Sequence, residues 1–191
     1  QAFRDAFPDR FVECGVSEQN MVGMAAGLAL SGKVPFVSSY AVFVPGRTWD
    51  QLRVSVCYAN ANVKIAGAHA GLSVGPDGAT HQALEDLAIT RVLPNLAVIV
   101  PCDYHETKQA VRAMAETPGP MYIRFAREKT PLVLGEGVPF AIGRHAVLRA
   151  GGDVTIFACG PLVYEALQAA RSLEKQGVEA EVINASTLKP F

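Results

Sequence analysis

The chain has 191 residues, half of them hydrophobic and 18% charged, with a formal net charge of −1. It is too apolar for disorder and long enough for one large domain or a domain and a half. Near-neutrality leaves no electrostatic footprint for nucleic acid or an anionic membrane, and no apolar run reaches the roughly 18 to 20 residues of a membrane span.

The chain opens on a helical remnant, QAFRDAFPDR, with no preceding strand and no visible signal peptide. Ser17 then precedes a helical run through Leu30. Its segment MVGMAAGLAL is apolar nearly all round, which predicts a helix buried on most sides. Gly23 and Gly27 lie one turn apart on it and permit close approach of another backbone, so this helix is expected at a subunit contact. Val34–Ser38 reads as a strand, Thr48 to Ala59 as a helix and Val63–Ala68 as a strand. A glycine-rich loop runs on to Thr80. Helix Gln82–Thr90, strand Ala97–Val100, helix Tyr104–Glu116 and strand Met121–Phe125 follow.

From Glu128 to Gly143 the composition turns to Lys, Thr, Pro and Gly without periodicity, as in a linker. A second unit then reads as strand Ala146–Arg149, a Gly-Gly turn, strand Val154–Ala158, helix Pro161–Gln176 and strand Glu179–Asn184. Pro161 suits the first turn of its helix, and Gly177 lies just past the end. A single βαβ crossover is too little for a closed core, so a fragment of a longer polypeptide is expected. The alternation predicts an α/β fold with a parallel sheet. Residues 1–130 form its first domain, 131–144 a linker and 145–191 the start of a second α/β domain. The four cysteines (Cys14, Cys57, Cys102, Cys159) show no CxxC spacing and sit in apolar stretches, which favours burial and a reducing cytoplasm.

Three clusters carry candidate chemistry. In Gly15-Val16-Ser17-Glu18-Gln19-Asn20-Met21 a carboxylate starts a very apolar helix. Glu18 is either an acid favoured by the helix dipole or, if buried, a group that shares a proton with a ligand nitrogen. In Ser38-Ser39-Tyr40-Ala41-Val42-Phe43, at the carboxyl end of a predicted strand, Tyr40 and Phe43 either pack in the core or wall a flat heteroaromatic ring. The third, His69-Ala70-Gly71-Leu72-Ser73-Val74-Gly75-Pro76-Asp77-Gly78-Ala79-Thr80-His81-Gln82, gathers two histidines and an aspartate on one loop, like a polar substrate mouth. Its spacing matches no zinc pattern, no GK[ST] and no GxGxxG.

In this order and spacing the three clusters resemble the pyrimidine-binding domain of the transketolase family over residues 1–130, and 145–191 resembles the start of that family's C-terminal domain. The resemblance implies thiamine diphosphate as cofactor and transfer of a two-carbon ketol unit between sugar phosphates. It assigns Glu18 to N1′ of the aminopyrimidine, favouring the imino tautomer that removes the thiazolium proton. Tyr40 and Phe43 match the aromatics on the pyrimidine ring. His69, Asp77 and His81 match residues around the sugar hydroxyls, with the histidines suited to proton transfer. Arg127 matches an arginine for the acceptor's phosphate.

Single-chain transketolases often carry a third aromatic where this chain has Gly46. The family also holds the diphosphate and Mg²⁺ on a Gly-Asp-Gly region, and no such segment is present; a split transketolase, encoded as two chains, would explain that absence and the short length. The resemblance therefore implies a separate N-terminal diphosphate-binding chain that holds Mg²⁺, with no metal ligand here. A homodimer of this chain within a two-plus-two assembly follows. Deoxyxylulose-phosphate synthases share the DG-x-THQ loop but resemble Asp-Arg where this chain has His69-Ala70, and the β chains of 2-oxo acid dehydrogenases share only the glutamate. A relative that kept the fold and lost the chemistry is a further alternative.

Overall fold

The computed structural model describes residues 2–191; the first residue of the predicted N-terminal remnant, Gln1, lies outside them. A short helix α1 (Ala2–Ala6), with no buried residue, and a 3₁₀ turn (Pro8–Arg10) lead to α2 (Glu18–Leu30). Strand β1 (Phe36–Tyr40) is followed by a π-helical turn (Val42–Arg47) broken at Val44, whose backbone is extended, and α3 (Trp49–Gln51) runs on as a π-helical coil (Leu52–Tyr58). After β2 (Lys64–Ala68) come two 3₁₀ turns (Leu72–Asp77 and Ala79–His81) and α4 (Asp86–Arg91). The first unit closes with β3 (Ala97–Ile99), α5 (Tyr104–Glu116) and β4 (Met121–Arg124). The second contains β5 (Ala146–Arg149), β6 (Val154–Ala158), α6 (Leu162–Glu174), β7 (Ala180–Asn184) and β8 (Thr187–Lys189).

Five strands form the main sheet in the order β1-β2-β4-β3-β8, the first four mutually parallel. Such a sheet needs both faces covered, which explains why the central strands are apolar at nearly every position. One face packs Ile65, Val98 and Tyr122 against Val22 and Ala25 of α2 and Leu52 and Val56 of the π-helical coil. The other packs Ile99, Met121 and Ile123 against Ala110 and Met114 of α5. Among the described residues no helix is long and apolar enough to cross a membrane.

Several expectations shift. Strand β1 begins and ends two residues later than predicted, because Pro35 lacks an N–H and only its carbonyl joins the sheet, accepting from Lys64. Tyr40 thereby becomes the last strand residue. Helix α4 starts at Asp86, not Gln82, because the Gly71 N–H binds the Ala83 carbonyl and the Gln82 amide reaches Leu72, which holds 82–83 extended. The linker is not free: Asp103 accepts from the N–H groups of Val133 and Leu134, each at 2.8 Å, and Phe140 and Ile142 pack beside α5.

Helix α2 departs most. It buries only Glu18, Val22, Ala25 and Ala26, while Gly23, Met24, Gly27, Leu28 and Leu30 face outward. An all-apolar helix has no moment to orient it, so burial on one side leaves an equally apolar stripe on the other.

The second unit builds a three-stranded sheet, β5-β7-β6, with α6 crossing between the parallel pair β6 and β7 and with β5 antiparallel. Its core is small, centred on Ala166, Ala170, Ala180 and Val182. Unexpectedly, β8 returns to the main sheet and pairs antiparallel with β3. Lys189 reinforces that edge by donating to the carbonyls of Arg91 and Leu93.

Candidate active site

The candidate residues gather where the parallel strands end, the edge at which open α/β sheets bind ligands. Tyr40 is the last residue of β1, and His69 directly follows β2, its register neighbour. His69 adopts φ 56°, a left-handed conformation that turns the chain sharply out of the strand. Its ring stacks on Tyr40 with centroids 4.4 Å apart. Phe43, brought round by the π-helical turn, lies nearly parallel to Tyr40 at 6.2 Å. His81, on the second 3₁₀ turn, meets both edge-on, at 5.8 Å from Tyr40 and 5.4 Å from Phe43.

The sequence suggested an aromatic wall and a separate histidine mouth. The fold makes one four-ring cluster of them. His81 Nδ1 lies 2.9 Å from the Thr80 hydroxyl, whereas His69 Nδ1 is buried without a partner among the described residues.

Glu18 is the first residue of α2 and only 8% exposed. It lines a hollow of about 320 Å³ together with Val16, Ser17, Gln19, Asn20 and Arg47. The N–H groups of a first helical turn have no intrahelical partner, so a carboxylate there is electrostatically favoured. Ser17 offers no cap because its hydroxyl turns back to the Cys14 carbonyl at 2.6 Å. Arg47 Nη1 donates to Glu18 Oε2 at 2.8 Å, and its guanidinium lies 4.5 Å over the Phe43 ring.

Asp77 pairs with Arg127 at 3.1 Å, and Arg127 also donates to the Val74 carbonyl, so the arginine pins the glycine-rich loop from below. A cleft of about 410 Å³ runs on from Arg127, bordered by Arg124, Lys129, Asp103, Thr107 and Pro161. Buried Asp86 accepts from the Tyr122 hydroxyl and Arg124 Nε, both at 2.8 Å. Arg47, Asp86 and Arg124 were not singled out from the sequence. Each pairs with a residue about 30 to 40 positions away, and no local pattern reports such a contact. Among the described residues no group of three His, Cys, Asp or Glu side chains is placed to hold a metal ion.

The family profile described as transketolase, pyrimidine binding domain, matches residues 1–133, and that of the transketolase C-terminal domain matches 143–191. The chain belongs to the transketolase family. A Clostridium sp. 6-deoxy-6-sulfo-D-fructose transketolase subunit is 42% identical over 189 residues, covering 99% of this chain and 59% of that protein. An apulose-4-phosphate transketolase subunit from Phocaeicola vulgatus is 40% identical, covering 98% of this chain and 61% of that one. Among solved structures, a split-gene transketolase described as an inactive beta4 tetramer superimposes with a TM-score of 0.92 at 48% identity, over 98% of this transketolase-family chain and 61% of its own. The chain thus spans about 60% of the length of the relatives it matches.

Proposed function

We propose that this chain supplies the pyrimidine-binding half of a thiamine-diphosphate-dependent transketolase, with residues 1–130 forming that domain, 131–144 the connection and 145–191 the start of the C-terminal domain. The observation that carries the reading is Glu18: a carboxylate at a helix start, nearly buried, facing a hollow whose Arg47 also lies over Phe43 of the aromatic cluster. That donor set suits a flat nitrogen heterocycle, with a carboxyl for a ring nitrogen and ring faces for its π-surface. It does not suit a diphosphate with its cation, and a separate chain would hold those together with Mg²⁺.

When bound, thiamine diphosphate supplies the nucleophilic carbon and the electron sink for cleaving a ketose. The chain's own residues do the rest. Glu18 holds a proton at the pyrimidine N1′ position, and Tyr40 and Phe43 orient the ring. His69 and His81 hold or move protons at the sugar oxygens. Asp77 faces the sugar hydroxyls, and Arg127 binds the anionic end of the acceptor. The names of two relatives support a ketose with an anionic terminus, since one speaks of a sulfonated fructose and the other of a sugar phosphate.

The outward stripe of Gly23, Met24, Gly27, Leu28 and Leu30 supports a subunit contact, and hence a homodimer within a two-plus-two assembly. The split-gene relative, described as inactive in its beta4 form, is consistent with a required second chain. Buried thiols at Cys57 and Cys102 suit a reducing compartment.

The test is Glu18→Gln in the enzyme reconstituted with its partner. The variant folds, and turnover falls by several orders of magnitude. Activity within about tenfold of wild type, equivalent to roughly 1.4 kcal/mol of barrier, refutes the assignment.

A further inference from the structure

We infer that Arg47 is an internal stand-in for the cofactor's pyrimidine ring, a side chain that contacts Glu18 and Phe43 and yields both when the ring binds. The inference rests on the assignment of Glu18 to the cofactor ring.

One guanidinium covers both groups expected to recognise that ring. Its Nη1 donates to Glu18 Oε2 at 2.8 Å, and its carbon lies 4.5 Å above the centroid of Phe43. A guanidinium is planar, carries N–H donors on an N–C–N edge and favours an aromatic face. Those are the properties by which an aminopyrimidine edge would address a carboxylate and a ring. Arg47 therefore satisfies the site with the ligand's own chemistry, leaving neither the carboxylate unpaired nor the Phe43 face bare.

The surroundings suit displacement. Arg47 ends the π-helical turn, its side chain is 47% exposed, and among the described residues its only side-chain hydrogen bond is the one to Glu18. Its carbonyl is approached by the Gln19 amide at 3.5 Å, so the backbone can stay in place while the side chain swings. The hollow beside Glu18 and Arg47, about 320 Å³, opens on the same carboxylate. Binding a ring there exchanges one charge-assisted contact for another, and the lost pair subtracts from cofactor affinity.

The experiment measures the dissociation constant of thiamine diphosphate with Mg²⁺, by calorimetry, in the chain assembled with its diphosphate-binding partner. Arg47→Met tightens binding by about threefold to tenfold, the range expected for a half-exposed charge-assisted pair. Arg47→Lys, which keeps a charge for Glu18 but loses the planar face over Phe43, falls between wild type and Arg47→Met. In a Glu18→Gln background the Arg47→Met change has a smaller effect, because the charge-assisted part of the contact is already lost while the contact over Phe43 remains. Tightening on removal of a side chain is not what structural damage produces, since damage loosens a site.

Weaker binding in Arg47→Met would make Arg47 a cofactor ligand, and unchanged binding would remove the competition; either overturns the inference. Should Arg47→Met not fold, Arg47→Gln, polar but uncharged, gives the same reading. If Glu18→Gln binds cofactor and turns over like wild type, the functional assignment itself fails. If Glu18→Gln is impaired while Arg47→Met binds as wild type, only the stand-in role fails.

Discussion

Glu106 offers the sharpest test of how the two units are joined. It lies in the first turn of α5, buried, and its Oε2 accepts from the Cys102 N–H at 2.7 Å while Oε1 accepts from the Asn184 amide at 2.9 Å. Asn184 ends β7, so one carboxylate spans the main domain and the second unit. Glu106→Ala removes the carboxylate acceptor of two buried donors, the Asn184 amide keeping only a weak contact to Cys102 Sγ, at about 1–3 kcal/mol each and about 2–6 kcal/mol in total. Glu106→Gln is milder. Its carbonyl still serves the Cys102 N–H, and its NH₂ can meet the Asn184 Oδ1, now without a partner, once that amide turns over. Urea unfolding at one fixed protein concentration orders the three as wild type, Gln, then Ala, with the midpoint shifted and the slope unchanged. An Ala variant within about 0.5 kcal/mol of wild type would show that the carboxylate is dispensable to the junction.

Burial lowers the Lys64 ammonium from 10.5 to about 8, although it donates to the carbonyls of Thr117 and Gly119, both at 2.7 Å. Below pH 8 both states are charged and the burial penalty is fully present; above it the folded protein releases a proton that the unfolded chain keeps until 10.5, so stability rises with pH. Burial pushes the Cys57 thiol from 9.0 up to about 11, which acts oppositely above pH 9, so the rise is expected between pH 8 and 9. It has a slope of at most about 1.4 kcal/mol per pH unit, and denaturation of Lys64→Met against pH should lack it.

Gly67→Ala places a Cβ against the Tyr122 ring, which is fully buried and tied to Asp86. A loss of about 1–3 kcal/mol is expected, and a variant with an unchanged melting temperature contradicts the close approach. His69→Ala and His81→Ala are expected to reduce sugar turnover more than thiamine-diphosphate affinity in the reconstituted enzyme. Titration with cofactor and then with donor ketose separates the two effects, and loss of cofactor binding in a folded variant reverses the assignment.

Much of the framework was legible in local pattern. Helix α5 was read to its residue bounds, and Ala110, Val111 and Met114 recur on it at helical spacing. The order of strands and helices followed from the alternation of period, and the motifs placed Glu18 at a helix start and the aromatic and histidine clusters after predicted strands. What the sequence could not determine lies in contacts between distant segments. Helix α2 is apolar on every side, so composition could not say that only Val22, Ala25 and Ala26 carry the buried apolar face. The return of β8 to β3 depends on where the second unit docks, and three residues, Thr187 to Lys189, hold no pattern that announces it. The union of Tyr40, Phe43, His69 and His81 in one ring cluster came from parallel register plus a left-handed His69. Arg47 reached Glu18 only through the π-helical turn, because a pairing between residues 29 apart is set by how the backbone folds back on itself.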